Sequence, residues 1–192
     1  MANITDYRTI TYFDVETTSL DPSKGEIIQI CILTEDREGK LEEWSTKIRP
    51  RLQKGTYSRE ALRINNFDPK QYIDAPIFED VADTIIDKLR WGPIVAHNSS
   101  FDISFIESNL ARYTDWKPGS RTDPEQRTFR LGYPVIDTVS LAYLLIPSER
   151  QNLMALREHL NIETDGAHEA VKDVYDCRTV FWNCLSKCLE AR

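Results

Sequence analysis

Asp14 and Glu16 stand one residue apart in the run YFDVETTSL. Residues 8 to 16 alternate as a β-strand does, with Thr11, Phe13 and Val15 on one face and Ile10, Tyr12, Asp14 and Glu16 on the other. Both acids therefore project together from a segment that reads as packed. Two ionised groups so placed repel each other and lose hydration. A divalent cation would compensate them. Oxygen-only ligands suit Mg2+ or Mn2+ rather than zinc, and Mg2+ is commonly shared between one or two carboxylates and substrate phosphates. An edge strand with a solvated acidic face would show the same pattern, and for this pair taken alone that is the reading to prefer.

A second constellation is AHNSSFDISFI, in which a short strand ends at His97 and Asn98 and Asp102 opens the next helix. Ser99 or Ser100 can cap that helix, with Asp102 at the positive end of its dipole, and capping is compatible with metal binding. Phe101 and Phe105, four residues apart, read as core, and Phe101 is also placed to pack against a nucleotide. Asn98 could brace a carboxylate, touch a substrate or make a turn hydrogen bond. The third piece, DGAHEAVKDVYDC, sets His168 five residues before Asp173. On a regular helix that offset is about 140° around the axis, so His168 is expected on the loop or first turn ahead of the helix that carries Asp173. Glu169 and Asp176 lie on the same helical face as Asp173, at i−4 and i+3, and residue physics alone does not choose among the three.

The elements that must position these groups follow from periodicity and breakers. Pro22 and Gly25 interrupt the first strand, EIIQICILTED resumes a second and LEEWSTKIRP reads as a third, which suggests an antiparallel meander. Ser58 can cap a short helix and Asp68-Pro69 marks a turn. IFEDVADTIIDKLRW has helical spacing, PIVAHN is a strand, and FDISFIESNLARY is a helix. Residues 114 to 134 read as a loop, in which Lys117, Arg121, Arg127 and Arg130 could track phosphates or simply be solvated. Tyr113, Trp116 and Phe129 could stack bases nearby, although packed anchors are the more usual fate of such residues. YPVIDTVSLAYLLIP is ambiguous between strand and helix, NLMALREHLNI is an amphipathic helix, and a long helix closes the chain. Trp44 and Trp91 are expected in or at the edge of the core. Strands followed by interleaved strands and helices point to an α/β fold with a mixed sheet covered by helices.

Composition bounds the function classes. At 192 residues a single domain over residues 1–192 is expected. Hydrophobic content of 41% with 29% charged residues is ordinary for a globular chain and argues against extensive disorder. No apolar stretch reaches the length of a membrane span, and the N-terminus lacks a signal-peptide layout, so a cytoplasmic setting without membrane attachment is expected. The net charge of −7 offers no general attraction to a polyanion, so a nucleic-acid substrate would need local help from bound metal ions. Cys31, Cys177, Cys184 and Cys188 lack metal-ligand spacing and read as reduced thiols.

Taken in order, FDVETTSL, AHNSSFDISFI and HEAVKD resemble the three motifs of the DEDD 3′–5′ exonucleases, in the branch with a histidine five residues before the last aspartate. The resemblance spans nearly the whole chain. It implies a ribonuclease H-like fold with a five-stranded mixed sheet, its first three strands antiparallel. It implies Asp14, Glu16, Asp102 and Asp173 as ligands of two divalent cations, Mg2+ or Mn2+, with His168 as general base. It also implies substrate contacts from Thr17, Thr18, Leu20, Asn98 and Phe101. The activity implied is release of nucleoside monophosphates from the 3′ end of single-stranded nucleic acid. Motif spacing nearer the proofreading type favours DNA over RNA. An RNA-trimming enzyme, or a catalytically weak module that binds nucleic acid or a polymerase, is the alternative; a polymerase or a second copy of the chain is the candidate protein partner. Two departures bear on substrate contacts: Ser19 stands where many relatives have glycine, and Asn65 where the proofreading branch often has histidine.

Overall fold

The structure, a computed structural model, describes residues 9–162 and 169–190. Strands β1 (Thr9–Thr17), β2 (Ile27–Asp36) and β3 (Leu41–Lys47) form the expected antiparallel meander, with Asp14 opposite Cys31 and Glu16 opposite Gln29. Helix α1 (Arg59–Ile64) starts where the Ser58 hydroxyl accepts the Ala61 N–H at 3.0 Å, and Asp68 caps the 3-10 turn Pro69–Tyr72. Helix α2 (Phe78–Leu89) then leads to β4 (Ile94–Ala96) and helix α3 (Ser99–Tyr113).

The segment 114 to 134, expected as loop, carries a two-stranded sheet of β5 (Lys117–Pro118) and β6 (Thr128–Phe129). Its cause is burial: Trp116 and Phe129 enter the core, and the pairing satisfies the backbone between them. The ambiguous run after it is both things in turn, β7 (Val135–Asp137) and then helix α4 (Thr138–Leu145). Asp137 makes the switch by accepting the Val139 N–H at 2.8 Å. Helices α5 (Leu153–Leu160) and α6 (Ala170–Glu190) complete the described chain.

The main sheet has the order β3-β2-β1-β4-β7, with β4 parallel to β1 and β7 parallel to β4. This is the ribonuclease H-like α/β arrangement with a five-stranded mixed sheet. Strand β1 sits at its centre and is packed on both faces. Phe13, Val15, Ile30 and Ile32 meet Val81, Ile85 and Leu89 of α2 and Phe105 of α3, while Ile10, Tyr12, Cys31 and Leu33 meet Val174, Cys177 and Phe181 of α6. Each such side chain contributes about 1.5–3 kcal/mol on burial, so the two faces leave β1 no solvated side. Asp14 and Glu16, on the α6 face by the same alternation, are thus not on an exposed edge.

Helix α6 is anchored at Glu35 of β2, whose carboxylate accepts the Tyr12 hydroxyl at 2.9 Å, Arg178 Nε at 3.0 Å and Trp182 Nε1 at 2.8 Å. Helices α4 and α5 pack on its outer side through Ala142, Leu156, Val180 and Cys184. The four cysteines are free thiols. Trp44 is a core-edge residue, whereas Trp91 is 61% exposed, with the Arg90 guanidinium over its ring. No helix among the described residues is long and apolar enough to cross a membrane.

Candidate active site

Strand β4 ends at Ala96 and pairs with β1 only at Thr11 and Tyr12. The Thr11 N–H is taken by Pro93 O on that side, and the Val15 N–H, four residues on, points the same way past the end of β4. A buried N–H needs an acceptor. Asp102 supplies it: its Oδ1 accepts from Val15 N at 3.0 Å, which pins the first turn of α3 between Asp14 and Glu16.

That turn is itself fixed by Asp137, whose carboxylate accepts the N–H groups of Asn98 and Ser99 at 3.1 and 3.0 Å and the Ser99 hydroxyl at 3.2 Å. Neither expected serine cap is used. Asn98 holds the N-cap position in a left-handed conformation, φ +69°, tolerable for asparagine, and the partner it finds lies 39 residues away.

From the other side, the first turn of α6 brings Asp173 over the strand. One carboxylate oxygen from each of Asp14, Glu16 and Asp173 lies within 4.8 Å of the others. Asp176 is not part of this group; it is buried in ion pairs with Arg157 and Lys172. Glu169 is exposed ahead of the helix, its carbonyl accepting the Asp173 N–H. Geometry thus separates three acids that share one helical face in the sequence. His168 lies outside the described residues.

The electrostatics are those of acids in excess of their counter-charge: Arg157 pairs with Asp173 and lowers Asp14, yet burial and mutual repulsion outweigh it. Burial, followed by the charges of Asp102, Glu16 and Asp173, holds the Asp14 carboxyl well above the usual range. Burial and then Asp173 push Glu16 up to about 8. Asp102 is raised by burial, with the Val15 N–H working against the shift. Three convergent hard oxygens and this mutual repulsion fit an Mg-like ion, so the residues present suit the cation that the sequence implies.

The expected substrate contacts divide. Leu20 is 80% exposed, Asn98 is exposed, and Phe101 is half-buried with its ring 4.8 Å from that of Phe105. Thr17 and Thr18 follow the two acids directly, with both side chains buried in turn contacts. Thr17 Oγ1 donates to Ser19 O at 2.8 Å, and Thr18 Oγ1 donates to Thr56 O at 2.6 Å while accepting the Glu26 N–H at 2.9 Å. Asn65 donates its side-chain N–H to Thr17 O at 2.9 Å, so it braces the strand end.

Two members of the basic cluster are held in ion pairs. Arg127 pairs with Asp83 and Asp115 and lies over the Trp116 ring, and Arg121 pairs with Asp123. Tyr113 donates its hydroxyl to Glu26 at 3.0 Å. Arg157, passed over in the sequence, is fully buried and donates to both Asp173 and Asp176. Its signal was there to read: it follows Leu153 by four residues and precedes Leu160 by three, on the apolar stripe of α5.

The family profile described as Exonuclease matches residues 11–181, which include every acid of the cluster. The chain belongs to the exonuclease family. The order and placement of its four acids put it among the DEDD-type 3′–5′ exonucleases, which are nuclease-type hydrolases. Its relatives include the DNA polymerase III subunit epsilon of Treponema pallidum, 25% identical over 92% of this chain and 76% of that one. Another is the 3′-5′ exonuclease DinG of Bacillus subtilis, 28% identical over 91% of this chain and 17% of the relative. Among solved structures, the zinc-bound ExoI–ssDNA complex of E. coli superposes with a TM-score of 0.74 at 19% identity, covering 97% of this chain and 42% of that one. This exonuclease-family chain therefore spans about three quarters of the epsilon subunit but a small part of DinG and under half of ExoI.

Proposed function

We propose that residues 1–192 form one metal-dependent exonuclease domain that removes nucleoside monophosphates from the 3′ end of single-stranded nucleic acid, DNA in preference to RNA. The observation that carries this reading is the convergence of Asp14, Glu16 and Asp173 to within 4.8 Å, with Asp102 pinned to the intervening Val15. These four acids would hold two divalent cations, Mg2+ or Mn2+, which when bound supply water activation and neutralise the leaving 3′ oxygen.

The remaining roles belong to the chain. His168 is assigned as the base that takes the proton of the attacking water, an ordinary imidazole being neutral near pH 7. Exposed Leu20 and Asn98 and half-buried Phe101 are the side chains proposed to meet the terminal nucleotides. With a net charge of −7, affinity must come from the metal-filled site and from stacking rather than from a basic surface. The preference for DNA is supported by the polymerase and ssDNA-bound relatives. The epsilon relative makes a replicative polymerase the first partner to test, and a cytoplasmic location goes with that reading.

A matched pair of labelled DNA and RNA single strands, incubated with Mg2+ or Mn2+, tests the proposal. Mononucleotides released progressively from the 3′ end, abolished by EDTA and by Asp14→Ala, are expected, with DNA degraded faster. A strand that is shifted but never shortened would make this a binding module. Faster loss of RNA would overturn the substrate preference.

A further inference from the structure

Arg157 is the largest fully buried side chain among the described residues, at 2% exposure. Its Nη2 donates to Asp173 Oδ1 at 2.5 Å and its Nε to Asp176 Oδ2 at 2.6 Å, while Lys172 Nζ reaches Asp176 Oδ1 at 3.0 Å. Desolvating a guanidinium and two carboxylates costs several kcal/mol for each ion, and apolar residues of similar volume commonly serve stability as well or better. Stability alone therefore does not account for an arginine here. A rigid planar fork does something an apolar pair cannot: with one prong fixed on Asp176, the other approaches Asp173 from a single direction.

We infer that Arg157 is a positioning residue of the metal site, braced by Asp176 and Lys172, that holds the Asp173 carboxylate turned toward Asp14 and Glu16. The inference rests on Asp173 being a metal ligand, as proposed above. Asp176 then acts at one remove, through Arg157 and the shared helix. Ligand carboxylates left without their supporting hydrogen bonds typically lose 10–100-fold in metal affinity.

The test uses the full chain and a variant that is neutral in net charge, Arg157→Met with Asp176→Leu. Removing one positive and one negative group keeps the net charge, and because Arg157 lies nearer the cluster than Asp176, the loss of its charge would by itself strengthen cation binding, so a weakening reports positioning. Mn2+ binding without nucleic acid, followed by calorimetry, should weaken about tenfold or more while thermal melting stays close to wild type. On a DNA oligonucleotide, kcat should fall with KM little changed. Unaltered Mn2+ affinity and kcat in the folded double variant would overturn the inference.

Asp176→Asn, nearly the same shape, serves if the double variant does not fold. It should weaken Mn2+ binding in the same direction, and an unchanged affinity would again overturn the role. Failure of the wild type itself to bind Mn2+ would overturn the metal-site reading and this inference with it, an outcome distinct from a variant that binds as well as wild type.

Discussion

The metal-free protein should lose stability as pH rises, and Glu16 is the group that sets the scale. Its carboxyl moves from an ordinary 4.5 to about 8, through burial first and the charge of Asp173 second. Between those values the folded chain holds a proton that the unfolded chain has released, so stability falls by about 1.4 kcal/mol per pH unit. The stability tied to this carboxyl is fully present below 4.5 and lost as pH passes about 8. From pH 5 to 7 that is about 3 kcal/mol for Glu16 alone, a ceiling because the side chain is only half-buried. His97 contributes an opposite slope, because burial lowers its imidazole and the neutral form it favours is reached as pH rises. The diagnostic quantity is therefore the difference between Glu16→Gln and wild type. The variant removes one titration and relieves Asp14, whose shift counts Glu16 among its causes. Urea unfolding in EDTA at several pH values between about 5 and 8 gives the proton linkage as the slope of stability against pH. Glu16→Gln should reduce the unfavourable linkage by up to about one proton, and added Mn2+ should stabilise wild type more at high pH, since ligands bind deprotonated. Equal slopes in the two proteins would refute the electrostatic account of the cluster.

Asp173→Asn should abolish hydrolysis and weaken Mn2+ binding, whereas Glu169→Gln should leave both intact; the reverse pattern in a paired assay would mean the last motif is misread. His168→Ala should lower kcat with little change in calorimetric Mn2+ affinity, and lost metal binding with intact turnover would reverse its role. Thr18→Val removes a buried hydroxyl that joins Thr56 to Glu26, and should cost about 1–3 kcal/mol in urea unfolding with faster amide exchange around residues 50–58. Unchanged stability would show that this segment is held by other contacts.

What could be read in the chain follows the range of the interaction. The alternation in YFDVET placed Asp14 and Glu16 on one face because strand periodicity is local, and the two packed faces of β1 then removed the edge-strand alternative. Asp102 was legible as a residue of the first helical turn, yet its acceptor role toward Val15 joins positions 87 residues apart. Ser99 and Ser100 were plausible caps by propensity, but Asp137, reached only through the parallel pairing of β4 and β7, took the N–H groups instead. Arg127 of the basic loop carries the same lesson: it looks free in sequence and finds Asp83 44 residues away. Trp91 was expected near the core by residue type, and its place after the C-terminus of α2 leaves its ring outside.

The feature that builds the site is the shortness of β4. Were β4 to continue alongside β1, the Val15 N–H would pair with backbone, as the Thr11 N–H does with Pro93, and no carboxylate would be needed there. By stopping at Ala96, β4 leaves one buried donor to be satisfied and opens a gap beside the two acids of β1. Asp102 fills the hydrogen-bonding need from α3, and in doing so adds its charge to a place where burial already disfavours Asp14 and Glu16. Asp173 arrives from the opposite side on a helix anchored to Glu35. The fold thus concentrates negative charge by means of contacts that are individually favourable. The resulting repulsion is what a pair of divalent cations, and behind them a phosphate, would relieve.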